Sequence, residues 1–114
     1  MSPITTHVLD LMRGRPAPGL FVRLERLREG DRSEVLGEGH TDAQGRLAAL
    51  LPEGARIAPG SYRLSFDVAA YLEGQGVESF YPTVQIIFAI IDPGQHYHVP
   101  LLLSPFGYST YRGS

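Results

Sequence analysis

The residues of this chain best suited to chemistry are its four histidines, His7, His40, His96 and His98. A neutral imidazole near pH 7 is the natural general base for activating water. His96 and His98 stand two apart in a stretch with strand character, which puts both side chains on one face. Pro100 and Leu102 continue that face. His7 lies in the first apolar run, and Thr5 and Leu9 share its face. A histidine in a strand is ordinarily structural, and a His-x-His pair also fits a metal site. Zinc would need a third protein ligand, which His7 or His40 would have to supply. No acidic residue lies beside the pair, which weighs against metal.

Arg46 follows directly on a turn sequence, Asp42-Ala43-Gln44-Gly45. An arginine there is ordinarily a solvated surface group. Its other use is to hold an anionic or carbonyl-rich ligand with a planar fork of donors. The sequence closes on Tyr111-Arg112-Gly113-Ser114. Chain ends normally fray, but two aromatic residues, Tyr108 and Tyr111, beside an arginine also suit a planar heterocycle, by stacking and hydrogen bonding.

These residues need a scaffold, and its elements are legible. Ile4 to Met12 is a first apolar run, closed by the Gly/Pro cluster Gly14 to Gly19. Leu20 to Leu27 alternates, with Val22 and Leu24 opposite Arg23 and Glu25, the period of a half-buried strand. Glu34 to Thr41 reads as a short strand, while Leu47 to Leu51 is ambiguous between strand and helix. Tyr62 to Val68 is the cleanest alternation, and Ala69 to Glu73 reads as one short helix before Gly74. Thr83 to Ile91 and His96 to Leu103 are two further strands, joined through the turn Asp92-Pro93-Gly94. Short strands separated by Gly/Pro turns predict an all-β sandwich. Ile87, Ala89 and Ile91 make the second face of one strand apolar, and Leu101 to Leu103 put leucine on both faces of the other. A monomeric sandwich shows one polar face per strand, so this pattern predicts a covered outer face in a homo-oligomer.

The bulk numbers bound the class. At 114 residues, one domain spanning 1–114 is the expected organisation. There is no cysteine, so thiolate chemistry and disulfides are excluded. Ten basic against twelve acidic residues give a net charge of −2, which is no footprint for nucleic acid or for an anionic membrane. The N-terminal sequence lacks the basic start and long apolar run of a signal peptide, and Ile86 to Ile91 is too short to span a bilayer. The expectation is a soluble, cytoplasmic protein.

Three separated segments carry a resemblance to a known family. His7-Val8-Leu9-Asp10 followed by Gly14-Arg15-Pro16-Ala17 resembles the N-terminal signature of transthyretin and its relatives. Tyr111-Arg112-Gly113-Ser114 is similar to the terminal tetrapeptide of the enzyme branch of that family, the 5-hydroxyisourate hydrolases, and is absent from its hormone carriers. His98, within His96 to Pro105, also matches the enzyme branch. The resemblance implies a transthyretin-like sandwich of two antiparallel sheets with one short helix. It implies a homotetramer whose active sites lie in a channel where dimers meet. It also implies hydrolysis of 5-hydroxyisourate in urate degradation, with His7, Arg46, His98 and Ser114 catalytic and His7, Arg46, Tyr111, Arg112 and Gly113 binding substrate. No metal or cofactor is expected on this reading. His40 and His96 inherit no role. The rival readings are a small-ligand carrier of the same fold, a structural or adhesive sandwich, and a metal-dependent hydrolase.

Overall fold

Alternating burial builds the strands of this molecule, a computed structural model that describes residues 2–114. In β1 (Ile4–Asp10) the residues Ile4, Thr6, Val8 and Asp10 are buried and Thr5, His7 and Leu9 are half-buried. β2 (Arg15–Pro16) follows the Gly14 turn and pairs back on β1. Then come β3 (Phe21–Leu27), β4 (Ser33–His40), β5 (Arg46–Leu47) and β6 (Gly60–Asp67). α1 (Val68–Glu73) starts where the Asp67 carboxylate accepts from the Ala70 N–H, satisfying one of the free donors of a helix start. β7 (Thr83–Ile90), β8 (Tyr97–Ser104) and β9 (Gly107–Thr110) complete the chain.

Two sheets face each other. One runs β4-β3-β6-β7, antiparallel throughout. The other runs β2-β1-β8-β9, with β5 also paired to β1. Between the sheets lie Ile4, Val8, Leu24, Leu64, Phe66 and Leu101, each with no exposed surface. Burial of that apolar surface is the main term holding the sheets together. The few buried polar groups are partnered. Thr6 donates to the Val99 carbonyl at 2.6 Å. Asp10 accepts from the Tyr71 hydroxyl at 2.8 Å, tying the helix to the end of β1. Where β3 bulges between Leu24 and Glu25, Ser33 and Arg63 both donate to the Glu25 carboxylate. The Ser33 hydrogen bond and the Arg63 charge hold that carboxyl below the usual carboxylate range.

The architecture matches the sequence reading, with three differences. The pairing of β1 with β8 is parallel, in register from Ile4↔Tyr97 to Asp10↔Leu103. The Leu47 to Leu51 stretch yields only the two-residue β5; the rest is irregular, with Leu50 and Leu51 buried. The segment after Pro105 is not a frayed end, because β9 pairs with β8 from Leu101↔Thr110 to Ser104↔Gly107. The outer face of β7 is apolar and open in the single chain, with Ile87 61% and, just beyond the strand, Ile91 83% exposed. No helix among the described residues is long and apolar enough to cross a membrane.

Candidate functional site

Three strand pairings bring the chemical residues to one face. β1 and β5 are antiparallel with His7 opposite Arg46. β1 and β8 are parallel with Thr5 opposite His98. Directly opposed residues project to the same side of a sheet. Thr5 and His7 already share the outer side of β1. Residues separated by 39 to 93 positions are thereby set side by side on the outer face, away from the core.

The turn before β5 is built to place Arg46. Asp42 Oδ1 accepts from the backbone N–H of Gln44 at 2.8 Å and of Arg46 at 3.0 Å. Those bonds, the one from Arg46 foremost, hold the Asp42 carboxyl below its ordinary value. Gly45 sits at φ 75°, and a Cβ there would fall 2.4 Å from the Val8 carbonyl oxygen. Only glycine meets both demands. Val8 in turn donates to the Gly45 carbonyl at 2.8 Å, fixing the turn to β1. The Gln44 carbonyl lies 2.8 Å from His7 Nε2. A carbonyl can only accept, so that nitrogen carries the proton.

On the other side of Thr5, its Oγ1 lies 2.8 Å from His98 Nδ1 and 3.1 Å from His96 Nε2. The two imidazoles are nearly parallel, 6.5 Å apart. Burial pushes the His98 imidazolium to deprotonate more readily than a free histidine, and the nearby His7, His96 and Arg46 push the same way. His98 is therefore a neutral imidazole at neutral pH.

Beyond β9 the chain stays on β8. Thr110 donates to the Pro100 carbonyl at 2.7 Å, and Gly113 forms a bridge with His98 through an N–H to carbonyl bond of 2.8 Å. A Cβ on Gly113 would stand 2.6 Å from His98 Cδ2, so the backbone lies against the imidazole ring. Arg112 anchors this segment. Its guanidinium lies 4.4 Å from the centre of the Tyr97 ring and donates to Gln95 Oε1 at 2.9 Å.

Thr5, Arg46, Ala48, His96, His98 and Ser114 line an open, shallow cavity of about 350 Å³. That volume is at the small end for ligand sites, suited to a compact molecule. Of the residues expected from the sequence, Arg46, His98 and Ser114 line it; His7 stands opposite Arg46 and Gly113 against the His98 ring, and neither lines the cavity itself. Tyr111 and Arg112 do not line this cavity in the single chain; with Ile86, Phe88, Tyr97 and Val99 they line a separate groove of about 340 Å³. His40 packs edge-on against Phe21 and does not line this cavity. Among the described residues no three His, Asp or Glu side chains converge as a ligand set. Nothing in the sequence marks Thr5 beyond its sharing a face with His7. A threonine in a strand is an ordinary β-former, and only the register with His98 gives it a place.

The chemistry this site offers is base-assisted addition of water to a small, oxygen-rich molecule. It combines a neutral imidazole, a guanidinium and a polar chain segment around one space. The sequence profile of the HIUase/Transthyretin family matches residues 4–113. A 5-hydroxyisourate hydrolase of Mus musculus is 48% identical, over 99% of this chain and 96% of that one. The solved structure of Klebsiella pneumoniae 5-hydroxyisourate hydrolase is 41% identical with a TM-score of 0.83, covering 97% of this chain and 98% of that one. Transthyretin from Sparus aurata is 31% identical with a TM-score of 0.90, covering 99% and 97% of the two chains.

Proposed function

The chain belongs to the HIUase/transthyretin family, and we propose that within it this protein is a hydrolase of 5-hydroxyisourate. The backbone does not separate enzyme from carrier, since the transthyretin match has the higher TM-score. A shared fold carries several functions, and the site decides. The observation that carries the reading is the cluster of Arg46, His98 and Ser114 around one small cavity, with His7 beside Arg46. A carrier of apolar ligands has no use for a desolvated imidazole beside a guanidinium.

In the proposed reaction, His98 accepts a proton from water as the water oxygen bonds to the carbonyl carbon of the cyclic amide. The carbonyl oxygen becomes an oxyanion beside Arg46, whose charge stabilises it. The C–N bond then breaks, and the imidazolium returns its proton to the leaving nitrogen. The six-membered ring opens to 2-oxo-4-hydroxy-4-carboxy-5-ureidoimidazoline. His98 fits the base because burial favours its neutral form. His7, with Nε2 committed to the Gln44 carbonyl, positions the substrate. Ser114 contributes hydrogen bonds in the cavity, and Arg112 acts on the site by holding Gly113 and Ser114 in place. No cofactor or metal takes part.

The proposed working form is a single-domain, cytoplasmic homotetramer with sites where dimers meet. The exposed apolar face of β7 supports assembly, and Tyr111, exposed outside the cavity, binds substrate in that setting. The test is to generate 5-hydroxyisourate with urate oxidase and follow its ultraviolet decay with this protein and a chelator. Accelerated decay, unaffected by chelator and reduced at least about a hundredfold in His98→Asn, is expected. Decay at the uncatalysed rate in the presence of the folded protein would move the assignment to a transthyretin-type carrier.

A further inference from the structure

The Thr5 hydroxyl has a single hydrogen and lies within hydrogen-bonding distance of two ring nitrogens, His98 Nδ1 and His96 Nε2. It can donate to only one of them and must accept from the other, if both bonds are made. Two arrangements follow. In one, His98 carries its proton on Nδ1 and donates it to Thr5, and Thr5 donates to His96 Nε2. His98 Nε2 then bears the lone pair. In the other, every bond is reversed: Thr5 donates to His98 Nδ1, and the His98 proton sits on Nε2, where no base remains.

We propose that Thr5 is a positioning residue that holds His98 as the Nδ1–H tautomer, and that His96 is the acceptor at the far end of this relay. The proposal rests on the reading of His98 as the general base. The first arrangement serves that role in both states of the cycle. When His98 Nε2 takes the proton from water, Nδ1–H continues to donate to Thr5, so no group has to turn. The Thr5 oxygen, with its own hydrogen drawn toward His96, faces the new positive charge and stabilises it. The ring cannot escape by rotating, because Gly113 lies against Cδ2 and hydrogen-bonds to the His98 carbonyl.

His96 is exposed to solvent and His98 is half-buried. Arg112 donates to the His96 carbonyl at 3.4 Å and leaves the Nε2 side of that ring to Thr5. The other groups facing His98 are His7 on β1, Arg46 on β5 and, lining the same cavity, Ser114. His7 and Arg46 oppose a charge on His98, and neither touches Nδ1.

The test uses the full chain and reads the His98 ring nitrogens by long-range proton–nitrogen correlation at pH 7.5, beside turnover. The wild type should show His98 protonated on Nδ1. Thr5→Val, nearly isosteric, should shift the ring to the Nε2–H form or to a mixture. Its kcat should fall roughly tenfold to a hundredfold with KM little changed, the scale expected when the partner that orients a histidine is lost. Thr5→Ser restores the hydroxyl and should recover the tautomer and most of the rate. His96→Leu removes the acceptor at the end of the relay and should weaken the Nδ1–H preference. A wild type protonated on Nε2, or a Thr5→Val protein with unchanged tautomer and turnover, would overturn the proposal. The spectra need no substrate. Loss of the Nδ1–H form in Thr5→Val therefore supports the relay even for a chain that hydrolyses nothing, an outcome that would refute only the enzymatic reading.

Discussion

Replacing Gly113 by alanine puts the contact between the chain's last residues and the base to a direct test. The added Cβ would stand 2.6 Å from His98 Cδ2 and 3.3 Å from Cγ. Carbon atoms rest at about 3.5 Å or more, so one of the two groups must retreat by about 0.9 Å. The ring is held on its far side by Thr5, at 2.8 Å, and is not a flexible side-chain tip. The residue 113 backbone is held by its bond to the His98 carbonyl and by Arg112 on the Tyr97 ring. Either movement displaces His98 Nε2 or Ser114 by close to an ångström relative to Arg46. Misplacement on that scale can lower a rate by as much as about a hundredfold. Folding should hardly notice, because residues 111 to 114 are exposed or half-buried and lie outside the core. The expected result is a drop in kcat of roughly tenfold to a hundredfold in the coupled ultraviolet assay, with a melting temperature within a few degrees of wild type. Wild-type turnover in a folded Gly113→Ala protein would refute the claim that this contact sets the base.

The remaining predictions concern acid, the Arg46 turn and the final segment. Since His98 titrates below the ordinary histidine value near 6.5, the acid limb of kcat/KM should lie below that pH; a limb above it would point to another base. The same shift bears on stability. The unfolded chain binds the His98 proton more tightly, so the contribution to stability is complete above about pH 6.5 and lost as pH falls through the folded value. Urea melts of wild type and His98→Asn across that interval should differ in slope in this sense. Gly45→Ala, with its φ of 75° and its Cβ 2.4 Å from the Val8 carbonyl oxygen, should destabilise the fold by about 1–3 kcal/mol and lower turnover through Arg46; an unchanged melting temperature would contradict it. Deleting Tyr111 to Ser114 should cut turnover at least about tenfold and leave the assembly seen by light scattering unchanged, whereas dissociation would show that the segment is structural.

Alternation made most of the fold legible. Tyr62, Leu64 and Phe66 pack inward as their spacing implies. The helix falls at Val68–Glu73, where helix formers cluster before Gly74. Elements of two residues carry no period, so β2 and β5 left no trace in the sequence. β5 nevertheless fixes Arg46 opposite His7. Strand order is equally invisible locally, and no pattern in either segment announces that β1 and β8 run parallel. The site was readable as residue types and motifs, and its assembly was not. Thr5 shows the limit most clearly: it is unremarkable in sequence and acquires a role only through a register set 93 residues away. Tyr111 and Arg112 show the converse. Their chemistry suits a planar ligand, but in the single chain their side chains line another groove.

The parallel joining of β1 to β8 has a kinetic consequence. The Thr5–His98 contact spans 93 residues and the His7–Gln44 contact 37. Closing so long a loop costs entropy that local contacts cannot offset early, although each doubling of length adds only about 0.6 kcal/mol. Folds dominated by such distant pairings are slow to form. The ladders of the other sheet all join segments nearer in sequence, the widest pair being Val22↔Phe66, less than half the separation of Thr5 and His98, so that sheet can form without β1 meeting β8. No intermediate containing it alone holds the base, the arginine and the threonine together. In a refolding experiment, recovery of activity should therefore trail recovery of the sheet signal, and the lag would time the meeting of β1 and β8.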